Sequence, residues 1–202
     1  MQRVLRAADY RRTPWKNGLG ESIQIAVGPE GAGLEAFDWR VSMARVETSG
    51  PFSEFAAVDR TLIVLNGCSM RLEVSGSPSI TLGPESPPHS FVGDRPTQGL
   101  LNGAGLTDFN VMTRRGRLVH RVERVPLNGG VTVGHSGLTS LWFVAHGRVT
   151  AAVADTGLDS EIELGLHDSL LITGPYEITF QSVEPTELLR VEIAEYYRNS
   201  TG

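Results

Sequence analysis

Residues 62–74 read Leu-Ile-Val-Leu-Asn-Gly-Cys-Ser-Met-Arg-Leu-Glu-Val. An apolar run from Leu62 to Leu65 meets Asn66-Gly67, the dipeptide that most strongly marks a two-residue hairpin. Met70 to Val74 then alternates apolar and polar residues, as a returning strand should. The same grammar recurs at 141–153, where Leu141-Trp142-Phe143-Val144-Ala145 runs into His146-Gly147 and Val149 to Val153 returns. Gly67 and Gly147 stand 80 positions apart, and the short apolar segments that follow them, Ile80-Thr81-Leu82 and Ile162-Glu163-Leu164, are offset by 82. Two strand-turn-strand-strand units of this length predict an all-β chain of two jelly-roll halves packed as one compact body. The division falls at 1–116 and 117–202, with only a Gly-rich loop over 125–137 and no linker between the halves.

Strand signals continue upstream. Residues 21–27 alternate, with Ile23, Ile25 and Val27 on one face; residues 37–46 put Phe37, Trp39, Val41 and Met43 on one face and Asp38, Arg40, Ser42 and Ala44 on the other. Twenty-three Gly and 11 Pro in 202 residues fit a chain of many turns and few long helices. Its 18 basic and 23 acidic side chains leave a net charge of −5, which argues against nucleic acid or an anionic membrane as partner. The N-terminal stretch lacks a signal-peptide apolar core and no long apolar run occurs, so the expected compartment is the cytoplasm. Asn199-Ser200-Thr201 therefore carries no glycosylation meaning.

Several chemistries are excluded by pattern. There is no phosphate-binding Gly-x-x-x-x-Gly-Lys loop, no Gly-x-Ser-x-Gly elbow and no dinucleotide fingerprint. The single Cys68 excludes a disulfide framework. His89, His120, His135, His146 and His167 are scattered singly, without the His-x-His spacing by which one strand presents two ligands. His146 and His167 read as exposed turn residues. No metal and no other cofactor is expected. Arg114, Arg115, Arg117, Arg121 and Arg124 form a basic run that reads either as a phosphate strip or as a solvated connection, and Glu123 with the acidic total favours the second.

The unusual content lies between residues 14 and 60. Pro14-Trp15-Lys16-Asn17-Gly18-Leu19-Gly20 sets a cation, an amide and a large aromatic in a glycine turn. Trp39-Arg40-Val41-Ser42 puts a guanidinium and a hydroxyl on one strand face. Ser49-Gly50-Pro51-Phe52-Ser53 with Phe55 follows, and Asp59-Arg60 precedes the apolar strand. A jelly roll would gather these strand ends around one cavity, where arginine forks bind carboxylates through paired hydrogen bonds. The competing reading keeps Trp39 in the core and Arg40 in solvent, with Asp59-Arg60 an ion pair trimming a strand end.

PWKNGLGESIQIA, FDWRVSMARVETSGPFSEFAAVDRTLIVLNG, HSFVGDRP and LTDFNVMTRRG closely resemble the HutD/Ves family of bicupin proteins. The resemblance is dense from Pro14 to Gly116 and rests beyond Gly130 on the second cupin-like pattern alone. It implies a cytoplasmic bacterial protein of two cupin jelly rolls, associated with histidine utilisation in a regulatory role. Its implied ligand is a small acid of that pathway, such as urocanate or formylglutamate. Ser22 stands where the family commonly has Thr, and Ala56-Ala57 replaces a stretch that usually contains Gly. Metal-binding cupins carry His-x-His and an acidic ligand shortly before the hairpin glycine. Counted back from Gly67, those slots fall near Ser53, Phe55 and Asp59-Arg60, where a cation repels a metal and attracts an anion.

The expectation is thus a non-catalytic binding protein or sensor for a small carboxylate. Arg40 and Arg60 clamp the anion; Lys16 and Asn17 close one side; Ser42, Ser49 and Ser53 supply hydroxyls; Trp15 or Phe55 forms a flat wall. The rival is a metal-free cupin isomerase or lyase, which needs a general acid or base near pKa 7: His89, Asp59 or Asp108. Trp142 and Phe143 are expected to fill the cavity of the second half. Jelly-roll proteins are often homodimers, which leaves a homodimer open; nothing in the sequence fixes the oligomeric state.

Overall fold

The computed structural model describes residues 1–15, 18, 20–135, 139–154 and 161–196. In chain order the strands are β1 (Gln2–Leu5), β2 (Arg11–Pro14), β3 (Gly20–Gly28), β4 (Trp39–Val46) and β5 (Gly50–Pro51). They continue with β6 (Val58–Val74), β7 (Ile80–Leu82), β8 (His89–Val92), β9 (Thr97–Arg114) and β10 (Leu118–His135). The last five are β11 (Thr139–His146), β12 (Val149–Val153), β13 (Ile162–Leu164), β14 (Ser169–Thr173) and β15 (Tyr176–Glu195). The described residues hold one 3-10 turn, Ala7–Asp9, and no α-helix, hence none long and apolar enough to cross a membrane. The stretch at 125–137, expected as a loop, belongs to β10 as far as His135.

The chain forms two compact units, one of Arg11–Val119 with Tyr196, the other of Met1–Tyr10 with His120–Glu195. In the first, the sheet order is β2-β3-β4-β9-β6-β7, with β5 also on β9 and β8 also on β6. Strands β6 and β9 pair from Val58↔Arg114 to Val74↔Thr97, the whole length of β6. A straight strand of that length would span about 55 Å, far beyond a small domain. It bends instead. The ladder slips at Leu65 and again at Cys68, opposite Gly103, Ala104 and Gly105, so Leu62 and Val64 join Met70 and Leu72 in one core cluster.

The Asn66-Gly67 hairpin is therefore a correction: these residues lie within one bent strand. Gly67 has φ +92°, and a Cβ there would fall 2.5 Å from the Gly105 carbonyl oxygen. The dipeptide serves a backbone crossing rather than a turn. The bulge in β3 corrects a second expectation. Ile25 slips between Gln24↔Ser42 and Ala26↔Val41, so Ile25 and Ala26 are both buried and the alternation breaks.

The second unit repeats the plan. Its order is β1-β14-β11-β15-β12-β13, with β10 also on β15. Here β11 and β12 both pair with β15, in the way that the two arms of β6 pair with β9. The slip at Ala145 matches Leu65 at an offset of 80, and Gly147 again has φ near +78° at the crossing. The turns after Leu82 and Leu164 also match: Gly83 N donates to Ser86 Oγ at 2.9 Å, and Gly165 N to Asp168 Oδ2 at 3.1 Å.

Residues 1–10, placed by the sequence division in the first half, build into this second unit. Strand β1 pairs with β14 from Gln2↔Ile172 to Leu5↔Ser169. Arg6 and the Ala7 N–H bind the Asp168 carboxylate at 2.8 and 2.9 Å, and the buried Tyr10 hydroxyl lies 2.8 Å from both Ser169 Oγ and the His167 carbonyl. Such pairing is non-local, so the local pattern of residues 1–10 could not announce it.

The crossing glycine supplies a stability test. Replacing Gly67 with alanine is expected to cost 2 kcal/mol or more, roughly, since the new Cβ meets backbone and the φ is left-handed. Gly116→Ala, at φ +78° with nothing within 4 Å, should cost only about 1 kcal/mol. Urea unfolding of both variants measures the difference.

Candidate anion-binding site

Directly paired residues of an antiparallel ladder share a face. One row across β8, β6, β9, β4 and β3 is Phe91, Arg60, Met112, Arg40 and Val27. The next is His89, Leu62, Asn110, Ser42 and Gln24, and the third, on β6 to β3, is Val64, Asp108, Ala44 and Ser22. Leu62 and Val64 belong to the core cluster, so this is the interior face of the unit. Arg40, Arg60, Ser42, Asn110 and Asp108 are thus carried inward by the alternation of three adjacent strands. Arg40 and Arg60 stand two strands apart, about 10 Å between Cα atoms.

Both arginines are buried: Arg40 is 8% and Arg60 3% exposed. This overturns the reading of Arg40 as a solvent residue. Arg40 donates to Ser42 Oγ at 3.0 Å and Gln24 Oε1 at 3.4 Å. Arg60 donates to Asn110 Oδ1 at 3.4 Å and the Ser53 carbonyl at 3.2 Å. Its charged end lies 5.1, 5.2 and 5.8 Å from the ring centres of Phe52, Phe91 and Phe55, an aromatic collar that suits a desolvated cation. All four hydrogen-bond acceptors are neutral. Burial lowers the Arg40 pKa, and it lowers that of Arg60 to about 10, Asp108 opposing the shift and the Arg40 charge adding to it.

Asp108 is the acidic group of this face and is 1% exposed. Burial raises its carboxyl to about 7, against the pull of Arg60 and of the Ala44 N–H. Its Oδ1 is buried and accepts no hydrogen bond. Among the described residues, two guanidiniums against one carboxylate leave a positive surplus on this face, and a buried charge of one sign calls for an anion.

The other expected residues divide. Ser42 reaches Arg40, and Phe55 lies beside Arg60. Ser53 contributes its carbonyl while its side chain is exposed, and Ser49 is exposed with its hydroxyl accepting from the Leu101 N–H at 2.8 Å. Neither hydroxyl lies on the interior face. Asp59 is not the partner of Arg60: it alternates to the opposite face and pairs with Arg115 at 2.7 Å. Trp15 donates to Ser22 Oγ at 2.9 Å and packs on the core cluster. Lys16 and Asn17 lie outside the described residues, as does the 199–201 sequon. Gln24, Asn110, Phe52 and Phe91 were missed; the Asp108-x-Asn110 spacing in LTDFNVMTRRG was the available signal for Asn110.

The basic run is a set of structural contacts. Arg114 binds the carbonyls of Ala56 and Phe37, Arg115 binds Asp59 and Asp94, Arg117 pairs with Asp38, Arg121 with Glu123 and Arg124 with Glu187. Among the described residues no three or more His, Cys, Asp or Glu cluster as metal ligands. His146 is exposed, whereas His167, expected in solvent, is half-buried and stacks on Phe143. His89 lies on the interior face, stacked on Phe91, its pKa lowered by burial.

The second unit shows what the same face becomes without the surplus. Ser140 stands in the ladder position of Arg60, Trp142 in that of Leu62, Leu188 in that of Asp108 and Glu192 in that of Met112. Trp142 is buried against Phe180 at 4.7 Å within the core, and Arg190, in the place of Asn110, lies over its ring while pairing with Glu192. This interior is filled and its cation carries its own counter-ion. Phe143 alternates away from that cluster, so Trp142 alone of the expected pair fills it.

The pKa of Asp108 makes stability depend on pH. Folding raises it from about 4 to about 7, so the folded state holds the extra proton in that window and loses stability as pH climbs through it. Asp108→Asn abolishes the dependence. The variant should gain on the wild type, between pH 5 and pH 8, by on the order of 2 kcal/mol in urea unfolding.

The sequence profile of the HutD family matches residues 7–190. A protein of Pseudomonas putida described as an uncharacterized 21.2 kDa protein in the hutC 3′ region is 37% identical over 175 residues, 87% of this chain and 88% of that protein. A crystal structure of a conserved protein of unknown function from Pseudomonas aeruginosa PAO1 superposes with TM-score 0.87 at 32% identity, over 96% and 99% of the two chains. HutD from Pseudomonas fluorescens SBW25, solved in a formate condition, gives 0.80 at 31% identity, over 98% and 100%. A cupin barrel protein of Leptotrichia buccalis, at 10% identity and TM-score 0.58 over 86% and 88%, shows the fold alone. The chain is an all-β bicupin and belongs to the HutD family.

Proposed function

We propose that this protein binds a small carboxylate metabolite on the interior face of its first unit and acts as a non-catalytic sensor or buffer in histidine utilisation. One observation carries the reading: two buried arginines, Arg40 and Arg60, share that face with a single carboxylate among the described residues and donate to neutral acceptors. A ligand carboxylate supplies the missing charge. Each charge-assisted hydrogen bond contributes about 1.5–3 kcal/mol before desolvation, and two or three support micromolar to millimolar binding, the range in which metabolite levels are reported. Urocanate and formylglutamate are the candidate ligands because of the family's association with histidine utilisation. On this reading the compartment is the cytoplasm and the partner is the metabolite, not nucleic acid or a membrane.

A second reading, a metal-free isomerase or lyase, draws on one feature: Asp108 is poised near neutrality on the same face, as a general acid or base would be. Turnover of urocanate or formylglutamate, followed by product analysis, would decide for it.

Isothermal titration of the folded protein with formate, urocanate and formylglutamate should give heat with at least one. Arg60→Met and Arg40→Met should each weaken that binding roughly 10- to 150-fold, the equivalent of one lost charged contact. Silence from all three acids with wild-type protein of verified fold removes the binding reading.

A further inference from the structure

Resting on that reading, we infer that Asp108 selects among carboxylates, favouring those that carry a hydrogen-bond donor, an N–H or O–H group, a few atoms from the carboxylate. Arg40 and Arg60 bring two positive charges to the face and Asp108 one negative, so a monocarboxylate balances the set while Asp108 stays ionised. Arg60 donates from Nε to Asn110 Oδ1, and Asn110 stands between the Arg60 and Asp108 rows of one face. A ligand held by the guanidiniums and extending along this face past Asn110 would meet the Asp108 carboxyl.

Asp108 stands on this interior face, and its Oδ1 is buried and accepts no hydrogen bond from the described residues. An ionised carboxylate has about four acceptor sites, and a buried acceptor left empty is costly. A ligand donor fills that place. A ligand with a methylene or carbonyl there leaves it unfilled or forces the carboxyl to take up a proton. Sites built to meet a polar ligand group reject the analogue that lacks it far more strongly than apolar pockets reject a changed methylene. The site of the second unit has Leu188 in the position of Asp108, so the feature belongs to the first unit only.

The test uses isosteric pairs. N-acetylglycine and levulinate differ only by N–H against CH2; 4-hydroxybutanoate and pentanoate differ only by a terminal O–H against CH3. Calorimetry with the full chain should show the donor member of at least one pair binding ten-fold or more tightly than its partner. Which pair shows it separates amide from hydroxyl ligands. In Asp108→Asn the preference should fall to within about threefold, with carboxylate binding retained. Equal affinity within both pairs for the wild type overturns this inference and leaves carboxylate binding standing. Absence of binding by all four acids and by formate overturns the reading beneath it.

Discussion

Strands β6 and β9 pair over the whole length of β6, and they can do so within a small unit only because the backbone at Gly67 and Gly105 crosses at close range. The slips at Leu65 and Cys68 on one strand, and the extra residues Gly103 to Gly105 on the other, allow the bend. They also set which residues look inward. On β9 the inward residues beyond the bend are the even ones, Leu106, Asp108, Asn110 and Met112; before it they are odd, with Leu101 packing on the same core. The polar interior face is a consequence of that change of parity. Without it Thr107, Phe109, Val111 and Thr113 would occupy the inside, and Asp108 and Asn110 would leave the face that carries the two arginines.

The same face holds groups that ordinary packing disfavours. Removing a guanidinium from water costs several kcal/mol, and a second like charge on the same face raises the cost. Arg40 and Arg60 are nevertheless kept in place by neutral acceptors and an aromatic collar. In the second unit, at matching ladder positions, Trp142 and Phe180 fill the space and Arg190 has Glu192 as counter-ion. One plan, used twice in one chain, thus appears once with a closed and internally neutral core and once with an open charge balance. The contrast is drawn between copies of the same topology, so the topology itself does not require buried cations.

Much of this was legible in the residues. The 80-residue offset between Gly67 and Gly147 marked the repeat, and the structure places matching bulges at Leu65 and Ala145. Arg40 and Ser42 fell on one face by simple alternation, and they touch. The failures have a common cause in non-local pairing. Asn66-Gly67 carries the same local signal whether the chain reverses or bends, because both need a left-handed glycine, and only the partner strand decides. Asp59 and Arg60 are neighbours in sequence but lie on opposite faces, where Arg115 takes the first. Ser49 and Ser53 were grouped with the site by proximity in the chain, yet a short strand such as β5 turns their hydroxyls outward. The place of residues 1–10 beside β14 has no local signature at all.

The balance of costs links the site to the stability of the unit that carries it. A ligand that binds the folded chain and not the unfolded one stabilises it by mass action. On the proposed reading the stabilisation would have a definite source: an incoming carboxylate would relieve the unfavourable charge that Arg40 and Arg60 impose on each other, together with part of their desolvation. The strands that hold these residues, β4 and β6, flank β9 in the middle of the sheet. Occupancy would therefore act on the middle of the fold rather than on an edge. A catalytic cupin needs its interior charges arranged for a transition state, whereas an interior completed by a ligand, as proposed, would supply what a sensor needs: a free-energy difference, located in the core, between the empty and the occupied state.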